Sequence, residues 1–420
     1  MKLAVIGGGS TYTPELVDGV ARLTGDIKVT ELVLVDPDAS RLAVVGPVSA
    51  RIMAAYGHPA KVRWTSDLDD GLDGAGGLLL QLRVGGQAAR HRDETWPTEC
   101  GCIGQETTGA GGLAKALRTV PVVLDIAARA RERAAADAWI IDFTNPVGIV
   151  TRALLDAGHR AIGLCNVAIG FQRQFASYLG VTPEEVALDH VGLNHLTWER
   201  AALVDGIDRL PEILGTHGAA LAERVGAPEK VLHETSSVPS YYLRYFWAHD
   251  AVVAEGRGRP TRAQQVAEME TRLLEMYADP ALDRKPELLG ERGGAFYSEA
   301  AVALLASLVT DAGDEQVVNV RNAGTLPFLP DEAVIEVRAT IGREGAVPVP
   351  VTPLSPLMRG LVAHVSGYEE LALDAALRGG RDRVAMAMLA HPLIGQYDLA
   401  DQLADRLLAE NAAFLPWASR

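Results

Sequence analysis

The sequence predicts an α/β fold: a parallel sheet domain over residues 1–165, followed by a mixed α+β substrate domain over residues 166–420. Three observations carry this. Six short apolar runs rich in β-branched residues recur in the first 165 residues. Helical patterns lie between several of them, as crossovers between parallel strands require. From Asn166 onward that alternation gives way to helices mixed with isolated strand-like runs. No repeat and no low-complexity linker marks the boundary.

The predicted strands are Leu3–Ile6, Glu31–Val35, Lys61–Trp64, Leu78–Leu82, Ala138–Phe143 and Ala161–Leu164. Near-continuous apolar strands joined this way imply a parallel sheet covered on both faces. The intervening helices include Pro14–Leu23, with Thr13 as its cap, and Ala39–Tyr56. Residues 84–112 hold Gly85-Gly86, two cysteines and "GQETTGAGG", and predict a long loop at a strand end, where open α/β sheets place ligands. Further on, Thr261-x-x-Gln264 opens a helix to Tyr277 as a capping box. Strands are predicted at Gln316–Val320 and Val334–Thr340.

Composition narrows the function. The 420 residues are 48% hydrophobic, ample for packed cores, and their length suggests two domains. Thirty-nine basic against 54 acidic residues give a formal charge of −15. That disfavours nucleic-acid and anionic-membrane partners, whose affinity rests on clustered Lys and Arg. Three cysteines, no signal-like start and no apolar run of about 18 residues lead to the expectation of a soluble cytoplasmic protein.

The opening "LAVIGGGSTYTP" places Gly7, Gly8 and Gly9 between a strand and a helix, the context of a Rossmann-type dinucleotide site. Glycines allow a tight turn, and the helix N-terminus offers free N–H groups to a pyrophosphate. Tyr12 stands where G-x-G-x-x-G has its third glycine. Asp36, ending "ELVLVD", would accept from ribose hydroxyls and repel a 2′-phosphate, favouring NAD. Ser10, Thr11 and Arg41 complete the expected cofactor-binding set.

"DFTNPVG", "GLCNVAIG" and "GLNHLTW" each put polar groups after an apolar run. Cys165 and His195 there could hold a divalent ion and leave positions open for substrate oxygens. Taken in order, "GGGSTYTPELV", "QLRVGG", "GQETTGAGG", "ALRTVPV", "DFTNPVGIVT", "CNVAIG", "GLNHLTW" and "RGGAFYSEAA" resemble glycoside hydrolase family 4 over roughly residues 1–340. That resemblance implies a fold like lactate and malate dehydrogenases, with NAD and Mn²⁺ or another divalent ion as cofactors.

It also implies redox-assisted elimination rather than the two-carboxylate route of most glycosidases. C3 of the glycone is oxidised to a ketone by NAD⁺, which acidifies the C2–H. A base removes that proton, the aglycone leaves, water adds and the hydride is returned. By resemblance Cys165 and His195 are the metal ligands and a tyrosine is the base. "PSYYLRYFW" offers Tyr241, Tyr242 and Tyr245; Tyr242 matches the family spacing best, and proximity to a metal-bound sugar would lower its pKa.

Asn166 after the cysteine is similar to the 6-phospho-β-glucosidase branch, although Ala168 replaces its usual Pro. Asn166 cannot donate a proton, so the general acid stays unassigned. Glu106 is expected to orient water or substrate. Arg83, Arg90 and Arg292 are the candidate phosphate ligands, and Asn145 and Asn166 the candidate sugar contacts. The expected substrate is a phosphorylated β-glucoside or disaccharide, and the expected assembly a homo-oligomer, dimer or tetramer. Alternatives are an unphosphorylated or α-linked glycoside, a 2-hydroxy-acid dehydrogenase, and a nucleotide sensor.

Overall fold

The computed structural model describes residues 1–22, 27–294 and 296–418. Leu23, the last residue of the first expected helix, and Ala295 of "RGGAFYSEAA" lie outside them. The strands are β1 (Lys2–Ile6), β2 (Glu31–Val35), β3 (Lys61–Thr65), β4 (Ala75–Leu80), β5 (Trp139–Asp142), β6 (Ala161–Gly163), β7 (Ala187–Leu193), β8 (Leu196–Val204), β9 (Ile207–Asp208), β10 (Val238–Pro239), β11 (Asp314–Arg321), β12 (Val334–Gly342) and β13 (Gly345–Pro348). Among the described residues they form one sheet in the order β10-β8-β7-β12-β11-β6-β5-β4-β1-β2-β3, with β13 beside β12 and β9 beside β8.

The six N-terminal strands pair in parallel, as their apolar runs predict. β1 and β2 are buried along almost their whole length, whereas the edge strand β3 is half-exposed. The remaining strands pair antiparallel, beginning where Asn319 of β11 meets Gly163 of β6. Parallel pairing puts the C-terminal ends of β1, β4, β5 and β6 at one edge, where the chain's motifs emerge.

Two expectations need correction. Thr13 is the first helical residue of Thr13–Arg22, not its cap, and its hydroxyl accepts from Gln81 Nε2 at 2.7 Å. Residues 84–112 are mostly not a loop: a helix runs Gly86–Glu99 and another Gly109–Arg133. Gly85, at φ 85°, starts the first of them, so the glycine pair that reads as a breaker acts as an entry turn. The Thr261 capping box with Gln264 forms as expected. Among the described residues no helix is long and apolar enough to cross a membrane.

Candidate active site

The glycine turn packs against its neighbours with no room for a side chain. A Cβ on Gly8 would stand 2.7 Å from Leu34 Cβ, and one on Gly9 2.8 Å from Asp36 Cγ. The amides of Gly7 and Gly8 both donate to the Val35 carbonyl, at 2.8 and 2.9 Å. Ser10 closes the turn: its hydroxyl accepts from the Tyr12 amide and its carbonyl from that of Thr13. Asp36 accepts from the Gly9 amide at 3.0 Å, and Arg41 Nε donates to the Gly9 carbonyl at 2.8 Å.

Thr11 is fully buried, and its amide has no acceptor among the described residues. An unsatisfied donor at a helix N-terminus suits a pyrophosphate oxygen, so the turn fits a dinucleotide. Tyr12 ties the turn to the second half of the chain, because its hydroxyl donates to the Gly294 carbonyl at 2.6 Å.

Cys165 follows β6 and is buried at the entry of the helix Asn166–Leu179. Burial pushes its thiol up, and the Glu336 carboxylate adds to that. The Val167 amide, Tyr297 hydroxyl and Asn194 side chain act the other way, as hydrogen bonds that favour the thiolate. His195 sits in the β7–β8 turn at φ 65°, with Nδ1 3.0 Å from Thr107 Oγ1. Burial pushes its imidazole down to about 4, so the ring stays neutral and keeps a lone pair.

Among the described residues no three His, Cys, Asp or Glu side chains converge to hold a metal. A thiolate and a neutral imidazole with the other positions open still fit a divalent ion completed by ligand oxygens.

Tyr242 stacks on His195, ring centroids 3.7 Å apart and planes 11° from parallel. Its phenol is pushed up rather than down: burial raises it, Cys165 adds to that, and Arg90 opposes. Tyr241 is exposed by comparison.

Glu106 is buried and bonded to three cations: Arg83 Nη1, Arg90 Nη2 at 3.1 Å and Lys115 Nζ at 2.7 Å. Arg90 also holds Glu94 at 2.7 Å. Burial alone would raise the Glu106 carboxyl, but Arg83, Lys115 and Arg90 hold it well below the usual range. Its two oxygens organise these three cations. Arg292 Nε donates to Thr11 Oγ1 at 2.8 Å and Nη2 to Glu270 at 2.9 Å, which puts it on the nucleotide turn, near enough to Arg83 to feel its charge. Asn145 follows β5 with a buried Oδ1 that has no hydrogen-bond partner among the described residues. Asn166 begins the helix after Cys165, and its backbone bonds Tyr297.

Several residues escaped sequence reasoning. Lys115 is a charged residue on the buried face of a long helix, pushed down to about 7 by burial, and that placement was its signal. His190 lies between Glu199 at 2.7 Å and Glu336 at 3.0 Å, all three buried. Burial would lower His190, but Glu199 and Glu336 raise it to about 10. Glu336 also accepts from Asn194 at 3.1 Å and Asn319 at 2.9 Å, so the relay steadies the turn bearing His195. A small cavity of about 20 Å³ beside His195 and Asn194 is also lined by Glu369 and His391. Burial raises Glu369 to about 8.

Comparison with known proteins accords with this geometry. Residues 2–181 match the model of the family 4 glycosyl hydrolases, and residues 190–394 that family's C-terminal domain. A probable 6-phospho-β-glucosidase of Bacillus subtilis is 36% identical, covering 99% of this chain and 97% of its own. The 6-phospho-β-glucosidase of Thermotoga maritima, solved with manganese, NAD⁺ and glucose-6-phosphate, superposes with a TM-score of 0.93. It is 31% identical, with 99% of each chain covered. Malate dehydrogenase from Salinibacter ruber, at 17% identity and a TM-score of 0.55, shares the fold over 91% of this chain and 99% of its own. With its glycine turn and these relatives, the chain belongs to family 4 of the glycosyl hydrolases.

Proposed function

We propose that this chain is an NAD- and divalent-metal-dependent 6-phospho-β-glucosidase. The observation that carries the reading is one buried cluster at the sheet edge, where Tyr242 stacks on His195 and neighbours Cys165, with Arg83, Arg90 and Lys115 close by. NAD and Mn²⁺, when bound, supply reversible hydride acceptance at C3 and stabilisation of negative charge on the sugar oxygens.

The chain's own residues do the rest. Residues 7–11, with Asp36 and Arg41, hold the dinucleotide, and Arg292 braces that turn through Thr11. Cys165 and His195 hold the cation, and Tyr242 takes the C2 proton. Arg83 and Arg90 receive the 6-phosphate: with Lys115 they form three cations against Glu106 and Glu94, and guanidinium forks suit phosphate. Asn145 and Asn166 contact sugar hydroxyls. Asn166, unable to donate a proton, favours a β-linked substrate. In this division residues 1–165 bind the nucleotide and end on the metal ligand Cys165, and residues 166–420 supply His195, the base and oligomer contacts. The protein works as a homo-oligomer in the cytoplasm, where its three free cysteines stay reduced.

The test is turnover of paired β-glucosides with and without a 6-phosphate, in NAD⁺, Mn²⁺ and reductant. Hydrolysis of the phosphorylated substrate, no net NADH, and solvent deuterium at C2 of the product are expected. Hydrolysis without C2 exchange or NAD⁺ would refute the mechanism. Preference for the unphosphorylated or α-linked glycoside would refute the substrate, and steady consumption of NAD⁺ would point instead to a dehydrogenase.

A further inference from the structure

The corner where Asp36 and Arg41 meet the glycine turn carries two opposed signals. A carboxylate at the end of the second strand accepts from a ribose 2′-hydroxyl and repels a 2′-phosphate, whereas an arginine nearby accommodates that phosphate. Here both converge on Gly9, where an added Cβ would lie 2.8 Å from Asp36 Cγ and 3.1 Å from Arg41 Cβ. Arg41 is not free. Its Nε donates to the Gly9 carbonyl at 2.8 Å, and its Nη2 lies 3.5 Å from Glu270 Oε2.

Glu270 comes from the helix Arg262–Tyr277, 229 residues further along the chain, and its side chain is largely buried. Its other oxygen accepts from Arg292 at 2.9 Å and Gln87 at 3.0 Å. One carboxylate is thus shared by two guanidinium groups and fixed in place by an amide.

We propose that Glu270 is a specificity-determining residue for the dinucleotide: it retains Arg41, so a 2′-phosphate finds Asp36 but not the arginine. Preference for NAD over NADP is then set from both halves of the chain. The inference rests on reading the glycine turn as a dinucleotide site.

The test is equilibrium binding of NAD⁺ and NADP⁺, without substrate, to the unaltered protein, Glu270→Gln, Arg41→Met and the double variant. Glu270→Gln is expected to raise the NADP⁺-to-NAD⁺ affinity ratio about 5- to 10-fold, as expected of one charge-assisted contact at a partly exposed site. The double variant should lose that gain. Arg41→Met alone should leave the ratio within about twofold, because the arginine is already withheld. No rise in Glu270→Gln, a rise that survives in the double variant, or a fall in Arg41→Met would each overturn the proposal. If Glu270→Gln did not fold, the Arg41→Met ratio would still decide it. Failure of the unaltered protein to bind NAD⁺ would overturn the dinucleotide reading itself, and this proposal with it.

Discussion

Replacing Glu106 with Gln keeps the shape of the side chain and removes the charge that three cations share. Arg83 and Lys115 lose their carboxylate, while Arg90 keeps Glu94. Removing one partner of a buried ion pair costs about 3–5 kcal/mol, because an uncompensated charge stays buried. Lys115 softens the loss, since its pKa is already pushed from an ordinary 10.5 to about 7 and it can shed its proton. In the unaltered protein that depressed value makes stability rise between pH 7 and 10.5. Without Glu106 the folded pKa of Lys115 falls further, so the variant's rise begins at lower pH.

The deficit of Glu106→Gln is therefore expected to be about 4 kcal/mol near pH 5.5, to shrink towards pH 7, and to level at about 3 kcal/mol above it. Urea unfolding of both proteins at three pH values measures it. A deficit under about 1 kcal/mol at pH 5.5, or one that grows with pH, would refute the reasoning.

Tyr242→Phe should lower kcat at least ~100-fold, the order of a lost general base, and abolish deuterium incorporation at C2 with little change in KM; steady-state kinetics and NMR of the product check this. Glu369, raised to about 8 from an ordinary 4.5, makes the folded state lose stability as pH rises across that window. Glu369→Gln should escape that loss and gain on the unaltered protein by about 2 kcal/mol between pH 5 and 8, roughly half the full shift because Glu369 is only partly buried; thermal melts at both pH values would show no such divergence if Glu369 titrates normally. Gly8→Ala should cost about 3 kcal/mol in urea unfolding, because its Cβ would meet Leu34 Cα and the Val35 amide at 2.8 Å, and backbone yields less than a side chain.

The parallel half of the fold was legible because each buried strand is a continuous apolar run and each ligand-bearing motif follows a strand end. The Thr261 cap was legible because it is a local contact. Residues that meet only through long-range pairing were not. Glu199, His190 and Glu336 come from three strands, and nothing local to any one of them signals a shared proton network. Arg292 sits in a motif that invites a phosphate-binding role, and nothing in that motif signals its partner Thr11, 281 residues away. The helix at residues 86–99 was missed because Gly85-Gly86 reads as a breaker, whereas Gly85 caps the helix that starts at Gly86. Tyr242 was placed by the family spacing, but the direction of its pKa depends on burial, which spacing does not report.

The two halves of the sheet meet where Gly163 pairs with Asn319, two residues before Cys165. A Cβ on Gly163 would lie 2.3 Å from Thr151 Oγ1 and 2.8 Å from Asn319 Cβ. For chimeras that graft a new antiparallel half onto this nucleotide-binding half, the splice is therefore a fixed joint rather than a free linker. A donor segment has to present a small enough neighbour to that glycine, and it has to do so in register. A one-residue slip would carry its own histidine-bearing turn out of reach of the cysteine that the recipient supplies.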